Sequence, residues 1–213
     1  MKDLKRSVNF FSDKITDFEA KLCRFGEAIA AVSRLEEENV ALKKEVSLLN
    51  DRVNNMERHS RQNNIEVQNF SYKSGENSVD VVYKIGFSLG VQVDPHSVDY
   101  VTRVPTTIKD KHKNIVVRFT SKYKRDDFLA AYRKKRLAMG VTHAGLVMAN
   151  VAEKVFLGEH LTLANKIIFK QARTLAREKG YKYVWTQSGN VLVRRNDASR
   201  IIHVLSEADL SRL

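Results

Sequence analysis

The sequence predicts an α+β protein in three parts: a long parallel coiled coil over residues 1–62, a mixed α/β domain over residues 63–150, and a small basic α/β domain over residues 151–213. Three observations predict this organisation. Apolar residues follow a heptad repeat through the first part, strand-like and helix-like patterns alternate after it, and the positive charge is concentrated in the two later parts.

The first part carries apolar residues at alternating spacings of three and four, which is the pattern of a coiled coil. The step from Ile29 through Val32 to Leu35 contains two spacings of three, a stammer that overwinds the supercoil locally without ending the helix. No later helix is long enough to cover this seam within one chain, so we expect the chain to self-associate. The seam consists of Val8, Phe11, Ile15, Phe18, Leu22, Phe25, Ile29, Val32, Leu35, Asn39, Leu42, Val46, Leu49, Val53, Met56 and Ser60.

Two features of this repeat bear on the oligomeric state. Asn39 falls at an a position, where pairing with the same residue of a neighbour fixes a parallel register. The segment from Arg52 to Glu57 resembles a signature of trimeric parallel coils, in which Arg52 would reach Glu57 of the adjacent helix; the alternative is an ordinary solvated surface pair. We therefore expect a homo-oligomer, with a trimer favoured over a dimer. The expected oligomerisation residues are Val32, Leu35, Asn39, Leu42, Val46, Leu49, Arg52, Val53, Met56 and Glu57.

The second part alternates between strand and helix patterns. Period-two alternation indicates strands, and apolar spacing of three and four indicates helices that end near Gly90 and Met139. The resulting order β-α-β-β-α-β is the ferredoxin-like plan shared by RNA-recognition-motif domains. The predicted elements are a strand over 64–70, a helix over 78–89, strands over 98–104 and 114–120, a helix over 122–139 and a short strand over 145–149.

The third part reads as one helix followed by three short strands. The helix is predicted from Leu157 to Lys179, bounded by Gly180. A tight turn over 187–189 joins the first two strands. The remaining predicted elements are strands over 181–186, 190–195 and 200–205 and a closing helix from Ser206.

The positive charge belongs to the parts beyond the repeat. Residues 1–63 contain 12 Lys/Arg and 11 Asp/Glu, a net charge of +1, whereas residues 64–213 contain 25 Lys/Arg and 14 Asp/Glu, a net charge of +11. Such a surface attracts nucleic acid or an anionic membrane. No apolar stretch is long enough to span a bilayer, and the first residues lead into no apolar signal segment, so we expect nucleic acid and no membrane.

An enzyme is not expected. The six His are scattered without metal-ligand spacing, no Gly-rich phosphate loop opens a helix, and the adjacent Asp126 and Asp127 diverge on a helix. We therefore expect no catalytic residue, metal, cofactor or small-molecule substrate. The single Cys23 indicates a reducing compartment, the cytoplasm or the nucleus.

Several cationic residues of the second part are candidate phosphate ligands. Arg103 ends a strand, and Lys109, Lys111 and Lys113 follow in a basic loop. Strand alternation places Arg118 on the face that the core does not use, as a phosphate ligand or a partner in a surface ion pair. Arg133, Lys134, Lys135 and Arg136 crowd the end of a helix, either as ligands or as a solvated end favoured by the helix dipole.

The third part holds a more specific cluster. Lys182, Tyr183 and Trp185 lie on one predicted strand, Arg194 and Arg195 on the next, and Arg200 begins the third. Cations beside aromatic rings suit a single-stranded ligand, which offers a charged backbone and exposed bases. The alternative is that Trp185 and one of Tyr181 and Tyr183 belong to the core, and for Trp185 the core is favoured.

These motifs resemble two protein families. Residues 56–67, 101–105 and 114–119 resemble the first-open-reading-frame proteins of LINE-type retrotransposons, and residues 182–185 and 191–200 resemble the C-terminal region of the baculovirus few-polyhedra (FP) protein. The resemblance implies an oligomeric, sequence-tolerant nucleic-acid binder that packages retroelement RNA or, in the viral relatives, affects virion and occlusion-body production. It also matches Arg103, Arg118, Arg194, Arg195 and Arg200 with basic residues of those motifs.

One departure qualifies the implied mode of binding. Val67 and Val116 stand where RNA-recognition motifs carry stacking aromatics, so contacts to the nucleic-acid backbone should dominate on that sheet.

The expected function is therefore binding of single-stranded RNA or DNA with little sequence preference. A leucine-zipper transcription factor would need a basic helix before the repeat, and only Lys2, Lys5 and Arg6 precede it. The remaining alternative is a coiled-coil scaffold that acts through protein contacts in virion or occlusion-body assembly. That alternative predicts no salt-dependent affinity for nucleic acid.

Overall fold

The computed structural model of the protein describes residues 2–72, 75–105, 112–139, 145–148 and 151–213. The chain divides into two compact units, residues 1–53 and residues 54–213. Helix α1 (Lys2–Ser60) accounts for the first unit and contributes its last two turns to the second. Of the helices in the described ranges, none is both long and apolar enough to cross a bilayer.

Within the first unit, α1 runs without interruption through Gly26 and through the stammer at Val32. The predicted long helix is confirmed. Among the side chains described between Leu4 and Val53, all are exposed except the half-buried Ala31. As a single chain, this helix therefore has no hydrophobic core.

The second unit begins with an antiparallel sheet of five strands, two helices and their connections. The elements are β1 (Asn64–Gln68), α2 (Ser78–Leu89), β2 (Val98–Arg103), β3 (Ile115–Phe119), α3 (Lys122–Ala138), β4 (Leu146–Met148) and β5 (Val151–Glu159). The strands lie in the order β2-β3-β1-β5-β4, and helices α2 and α3 connect them and pack on one face of the sheet. The sequence forms these elements where it was expected to, apart from β5.

The core of this first layer lies between the sheet and the two helices. Ile65 of β1 and Val117 of β3 are fully buried, and Ile85 of α2 and Phe128 of α3 are 1% exposed. A side-chain hydrogen bond caps the start of α2. The side chain of Asn77 accepts a hydrogen bond from the N–H of Val79 at the start of α2.

A second, three-stranded antiparallel sheet follows α4 (Leu163–Glu178), in the order β6 (Tyr183–Gln187), β7 (Asn190–Arg194) and β8 (Ile202–Val204). Helix α4 packs against one face through Ile168, Ala172 and Ala176, which contact the strand residues Val191, Val193 and Val204. Ser188 and Gly189 both have positive φ, as the two central residues of a type I′ hairpin turn require. A 3-10 helix, Glu207–Arg212, follows β8.

The predicted start of the fourth helix at Leu157 is wrong. Residues 151–159 form β5, in which Val155 and Leu157 are buried while Lys154 and Phe156 face outward, the period-two alternation of a strand. Strand β5 pairs with β1, so the short strand predicted over 145–149 lies at the sheet edge as β4. The expected domain boundary at residue 150 therefore falls between two paired strands of one sheet.

Candidate nucleic-acid interface

Helices α2 and α3 cover one face of the first sheet. The start of α4 partly covers the other face. Glu66 of β1 lies on that face and is 3% exposed. Its carboxylate accepts a hydrogen bond from Asn114 Nδ2 at 2.6 Å and pairs with Lys166 Nζ of α4 at 2.8 Å. Glu66 is thus enclosed by the chain itself, whereas Phe156 of β5, on the same face, is 39% exposed. We call the part of this face formed by β2 and β3 the open half.

Arg118 lies on the open half of that face, because Val117 and Phe119 beside it are core residues. Its Nε stands 3.2 Å from Asp99 Oδ2, and its guanidinium lies 6.0 Å from the centre of the Tyr100 ring. Both members of the ion pair are about half exposed. Arg118 was expected to be either a phosphate ligand or a partner in a surface ion pair, and the structure contains the ion pair.

The two valines expected at aromatic positions lie on opposite faces. Val67 is fully buried in the core between the sheet and its helices, so it cannot face a ligand. Val116 is 2% exposed and lies on the other face, opposite Glu66 in the strand register. The exposed aromatic ring of the open half is Tyr100 on β2, which sequence reasoning missed.

Arg103, a predicted phosphate ligand, is engaged by the protein itself. Its side chain is 11% exposed and pairs with Glu76 at 2.7 Å. The remaining donors reach the carbonyl oxygens of Phe70, Ser71 and Lys113. A guanidinium whose donors are all engaged by the protein holds the strand end and its loops together. Lys113 is exposed, and Lys109 and Lys111 lie outside the described residues.

The four cations at the end of α3 are not equivalent. Arg133 and Lys134 are exposed, Lys135 donates to the carbonyl of Ser88, and Arg136 lies over the Tyr132 ring. Helix α3 packs on the core face of the first sheet. These cations and Arg118 therefore lie on opposite sides of the sheet and do not form one surface.

The second sheet has one face that α4 does not cover. Alternation places Tyr183 and Trp185 of β6 on this face, together with Leu192 and Arg194 of β7 and His203 of β8. Leu192, 4% exposed, lies in register between Trp185 and His203. We call this surface, formed by Tyr183, Trp185, Leu192, Arg194 and His203, the aromatic face.

The core interpretation of Trp185 is wrong. The aromatic residue that packs against the core with α4 is Tyr181, whose hydroxyl donates to the carbonyl of Leu213 at 3.0 Å. Trp185 is half-buried on the opposite face. Sequence alternation from Val184 would have placed it there, because Val184 packs against the core.

A hydrogen-bonded loop between β7 and β8 closes one end of the aromatic face. Arg194 donates through Nε to the carbonyl of Ser199 at 3.0 Å and through Nη2 to the carbonyl of Asp197. Arg194 therefore organises the loop rather than standing free. Arg195 and Arg200, at the two ends of the loop, are exposed and have no carboxylate within 4.0 Å among the described residues.

Asp197, which sequence reasoning missed, binds two of the predicted ligand residues. Its Oδ2 lies 2.8 Å from Lys182 Nζ, and its Oδ1 accepts a hydrogen bond from the Tyr183 hydroxyl at 2.7 Å. The hydrogen bond from Lys182 and, to a smaller extent, that from Tyr183 lower the pKa of Asp197. The bond between Lys182 and Asp197 also raises the pKa of Lys182. Both groups are therefore charged at neutral pH.

The two sheets are joined at Glu159, the last residue of β5. One carboxylate oxygen accepts from Arg125 Nη1 and from the N–H of Ser188, and the other accepts from the N–H of Gly189, each at 2.8 Å. Arg125 and Glu159 are 2% and 7% exposed. This carboxylate fixes the β6–β7 turn, and hence the aromatic face, to the first sheet. Glu159 was not predicted as a site residue because it was assigned to a helix that was predicted to begin at Leu157.

His160, next to this junction, is predicted to make stability depend on pH. Burial, reinforced by the nearby Arg61 guanidinium, lowers the pKa of His160 to about 4. The unfolded chain, with an imidazole pKa near 6.5, binds more protons than the folded protein between these values, so stability falls as the pH falls from about 6.5 towards 4. Because the ring is partly exposed, we expect a loss of about 2 kcal/mol.

Urea denaturation of wild type and His160→Gln from pH 7 to pH 4.5 measures this effect. The glutamine keeps an acceptor for Asn64 Nδ2, which stands 3.2 Å from His160 Nδ1. The difference in the free energy of unfolding between the two proteins should grow as the pH falls. A difference that is independent of pH would contradict the prediction.

The last turns of α1 contact the C-terminal part of the second unit. Asn54 donates to Asn165 and accepts from Thr162, and Arg58 donates to Asn190. Met56, on another side of the helix, is 66% exposed. These contacts therefore leave Met56, the apolar seam residue of these turns, uncovered.

All ten residues expected to mediate oligomerisation are exposed in the single chain, from Val32 to Glu57. Glu57 Oε2 accepts a hydrogen bond from Arg61 of its own chain at 3.2 Å. The described residues contain no group of three or more His, Cys, Asp or Glu side chains arranged to hold a metal ion.

The C-terminal part of the chain matches a known family. The model described as Baculovirus FP protein domain 2 matches residues 162–213. The match begins at Thr162, which caps α4, and includes α4, the second sheet and the final 3-10 helix. It supports the resemblance of this region to the baculovirus FP protein. A comparison with curated proteins gave no match.

Proposed function

We propose that this protein is a non-enzymatic, oligomeric binder of single-stranded RNA or DNA that contacts mainly the nucleic-acid backbone and has little sequence preference. The observation that carries the proposal is the aromatic face beside Arg195 and Arg200. It presents two half-buried rings, Tyr183 and Trp185, and the loop at one end of it carries these two arginines, which are exposed and have no carboxylate within 4.0 Å among the described residues. Rings of this kind stack on unpaired bases, while the arginines bind phosphates.

Charge supports the same surface. Residues 64–213 hold an excess of eleven positive charges, yet several cations there are neutralised inside the fold. Arg103, Arg125 and Lys166 are paired with carboxylates that are at most 8% exposed. Arg195 and Arg200 remain available to an external anion, and phosphate is the anion that nucleic acid supplies.

The first sheet serves in this proposal as a support rather than as the principal binding surface. A ferredoxin-like plan is supported by the order β1-α2-β2-β3-α3-β5 with β5 beside β1, and β4 is then an additional strand at the sheet edge. However, Glu66 sits at the centre of the face that such domains offer to RNA, and the start of α4 covers it. A contact of Arg118 with phosphate would have to replace its pair with Asp99.

The exposed seam of α1 supports self-association into a parallel coiled coil, with a trimer preferred. An apolar stripe this long is stable in water only when other helices cover it, and a further copy of the same chain repeats the heptad in register. The apolar side chains described along the seam are exposed in the single chain. Several binding units tied together raise the affinity for a long strand through effective concentration.

The similarity of residues 162–213 to the baculovirus FP family supports a viral FP-like role as one setting for this activity. Packaging of retroelement RNA, as in LINE-type elements, is the other, and it rests on the resemblance of residues 56–67, 101–105 and 114–119. In either setting we propose that the protein acts in the cytoplasm or the nucleus. The scaffold alternative differs because it needs no nucleic acid.

Replacing both Arg195 and Arg200 by alanine is expected to weaken binding to a short single-stranded oligonucleotide about tenfold. Each lost phosphate contact should also reduce the slope of log K against log salt by about 0.7, or about 1.4 for the pair. Filter-binding titrations at several salt concentrations measure both quantities. Trp185 is the only tryptophan of the chain, so quenching of its fluorescence reports whether the ligand reaches the aromatic face.

The matched control is Arg173→Ala with Arg177→Ala, which removes the same charge from exposed positions of α4. Helix α4 packs against the opposite face of the second sheet, so this variant should bind within about threefold of wild type. Equal losses in the two variants would mean that the aromatic face is not the binding surface. No binding by wild type at low salt would favour the scaffold alternative.

A further inference from the structure

We propose that Lys182 Nζ and the Tyr183 hydroxyl form a phosphate subsite, and that the Asp197 carboxylate occupies it in the free protein until a backbone phosphate replaces it. This inference rests on the proposed function and adds a specific binding position and a self-inhibiting contact to it. In the free protein, the Asp197 carboxylate thus takes the position that a backbone phosphate would take.

The geometry of the contact supports this assignment. The two oxygens of Asp197 are bound separately, Oδ2 by Lys182 Nζ at 2.8 Å and Oδ1 by the Tyr183 hydroxyl at 2.7 Å. Two donors set to receive two oxygens of one anion also suit the two non-bridging oxygens of a phosphodiester. An ammonium group and a hydroxyl are ordinary phosphate ligands in protein–nucleic-acid contacts.

The carboxylate can leave without disturbing the fold around it. The side chains of Lys182 and Asp197 are 57% and 71% exposed, and ion pairs at such positions add little to stability. The loop is held by other bonds. Arg194 binds the carbonyls of Asp197 and Ser199, and the Ser199 hydroxyl binds the N–H and the carbonyl of Asn196.

The donors also keep their places when the carboxylate leaves. Lys182 Nζ lies 5.0 Å from the centre of the Tyr183 ring, a cation–π contact that is independent of Asp197. Tyr183 is a half-buried residue of β6, paired in register with Arg194. Arg195 and Arg200, at the ends of the same loop, would bind neighbouring phosphates. Lys182 and Tyr183 are therefore already positioned to bind a phosphate, and the negative charge of Asp197 lowers their affinity for it.

The test is the affinity of Asp197→Asn for a short single-stranded oligonucleotide, measured at several salt concentrations. We expect binding three- to tenfold tighter than wild type and a salt slope larger by about 0.7, because Lys182 gains a phosphate contact. The combined variant Lys182→Ala with Asp197→Asn should bind no more tightly than Lys182→Ala alone. Asp197→Ser, a second neutral replacement, should repeat the gain and guards against misfolding of one variant.

Asp80→Asn is the control, since it makes the same change in net charge at an exposed position of α2, a helix that packs against the first sheet. It should alter affinity less than 1.5-fold. If wild type binds and neither Asp197 variant binds more tightly than this control, the subsite is overturned while the proposed function stands. If neither wild type nor the Asp197 variants bind, both are overturned.

Discussion

Replacing Leu42 and Leu49 together by glutamate is expected to convert the proposed oligomer into single chains. Both leucines lie at d positions of the proposed seam and are about half exposed in the single chain. In a parallel coil, the new carboxylates of all chains would meet inside the apolar core, where ionised groups lose hydration and repel one another. Sedimentation analysis should show the mass of one chain, 24.4 kDa, instead of a multiple.

The same variant should bind a long single strand 10- to 100-fold more weakly than wild type, because the advantage of linked binding units is lost. Its affinity for an oligonucleotide that fits one chain should be unchanged. This difference separates the loss of oligomerisation from damage to the binding surface.

Val40 and Leu48 provide a matched control for this experiment. They are exposed apolar residues of the same helix, 69% and 61% exposed, but they lie outside the heptad seam. Replacing both by glutamate makes the same chemical change within two residues of the seam positions. This control should keep the oligomeric mass. A monomeric wild type, or equal dissociation of both variants, would contradict the coiled coil.

Replacing Glu159 by glutamine is expected to lower the free energy of unfolding of the second unit by about 3 to 5 kcal/mol, the usual effect of removing one partner of a buried ion pair. Arg125, 2% exposed, would keep a buried charge without its buried counter-charge. The glutamine amide keeps only one acceptor oxygen, so its NH2 group would face the N–H of either Ser188 or Gly189 with a donor where the carboxylate now accepts. Chemical denaturation measures the loss.

Asp126→Asn serves as the comparison, because Asp126 is the other acidic neighbour of Arg125. Its carboxylate stands 3.1 Å from Arg125 Nε but is 52% exposed. Loss of this exposed partner should cost less than about 1 kcal/mol. Similar losses for the two variants would show that the Glu159 contact does not carry the junction between the sheets.

Most of the elements could be predicted because they depend on consecutive residues. The heptad spacing predicted a helix that continues through the stammer, and α1 does so. Alternation in residues 114–120 predicted β3, and apolar spacing with Gly90 predicted α2. Strand β5 was missed, and residues 157–159 were assigned to a helix, because Val155, Phe156 and Leu157 form a continuous apolar run, which fits a strand or a helix equally well by periodicity.

The candidate interface was only partly predictable. Alternation correctly placed Arg118 away from the core, and the cluster of Lys182, Tyr183 and Arg194 with Arg195 and Arg200 does gather at one end of a sheet. The neighbours of a cation along the chain did not predict whether it pairs with a carboxylate in the folded protein. Arg103 is held by Glu76, which lies 27 residues earlier.

The sequence by itself determined the long helix, the alternation of strands and helices, and the location of the excess positive charge, since each of these follows from the order or number of residues within one segment. Only the tertiary structure decided which cations are free to meet a ligand. Folding brings Lys166 to Glu66 across 100 residues and sets Glu159 beside the turn at Ser188. Electrostatic neutralisation depends on distances of a few ångströms in space, and separation along the chain does not encode them.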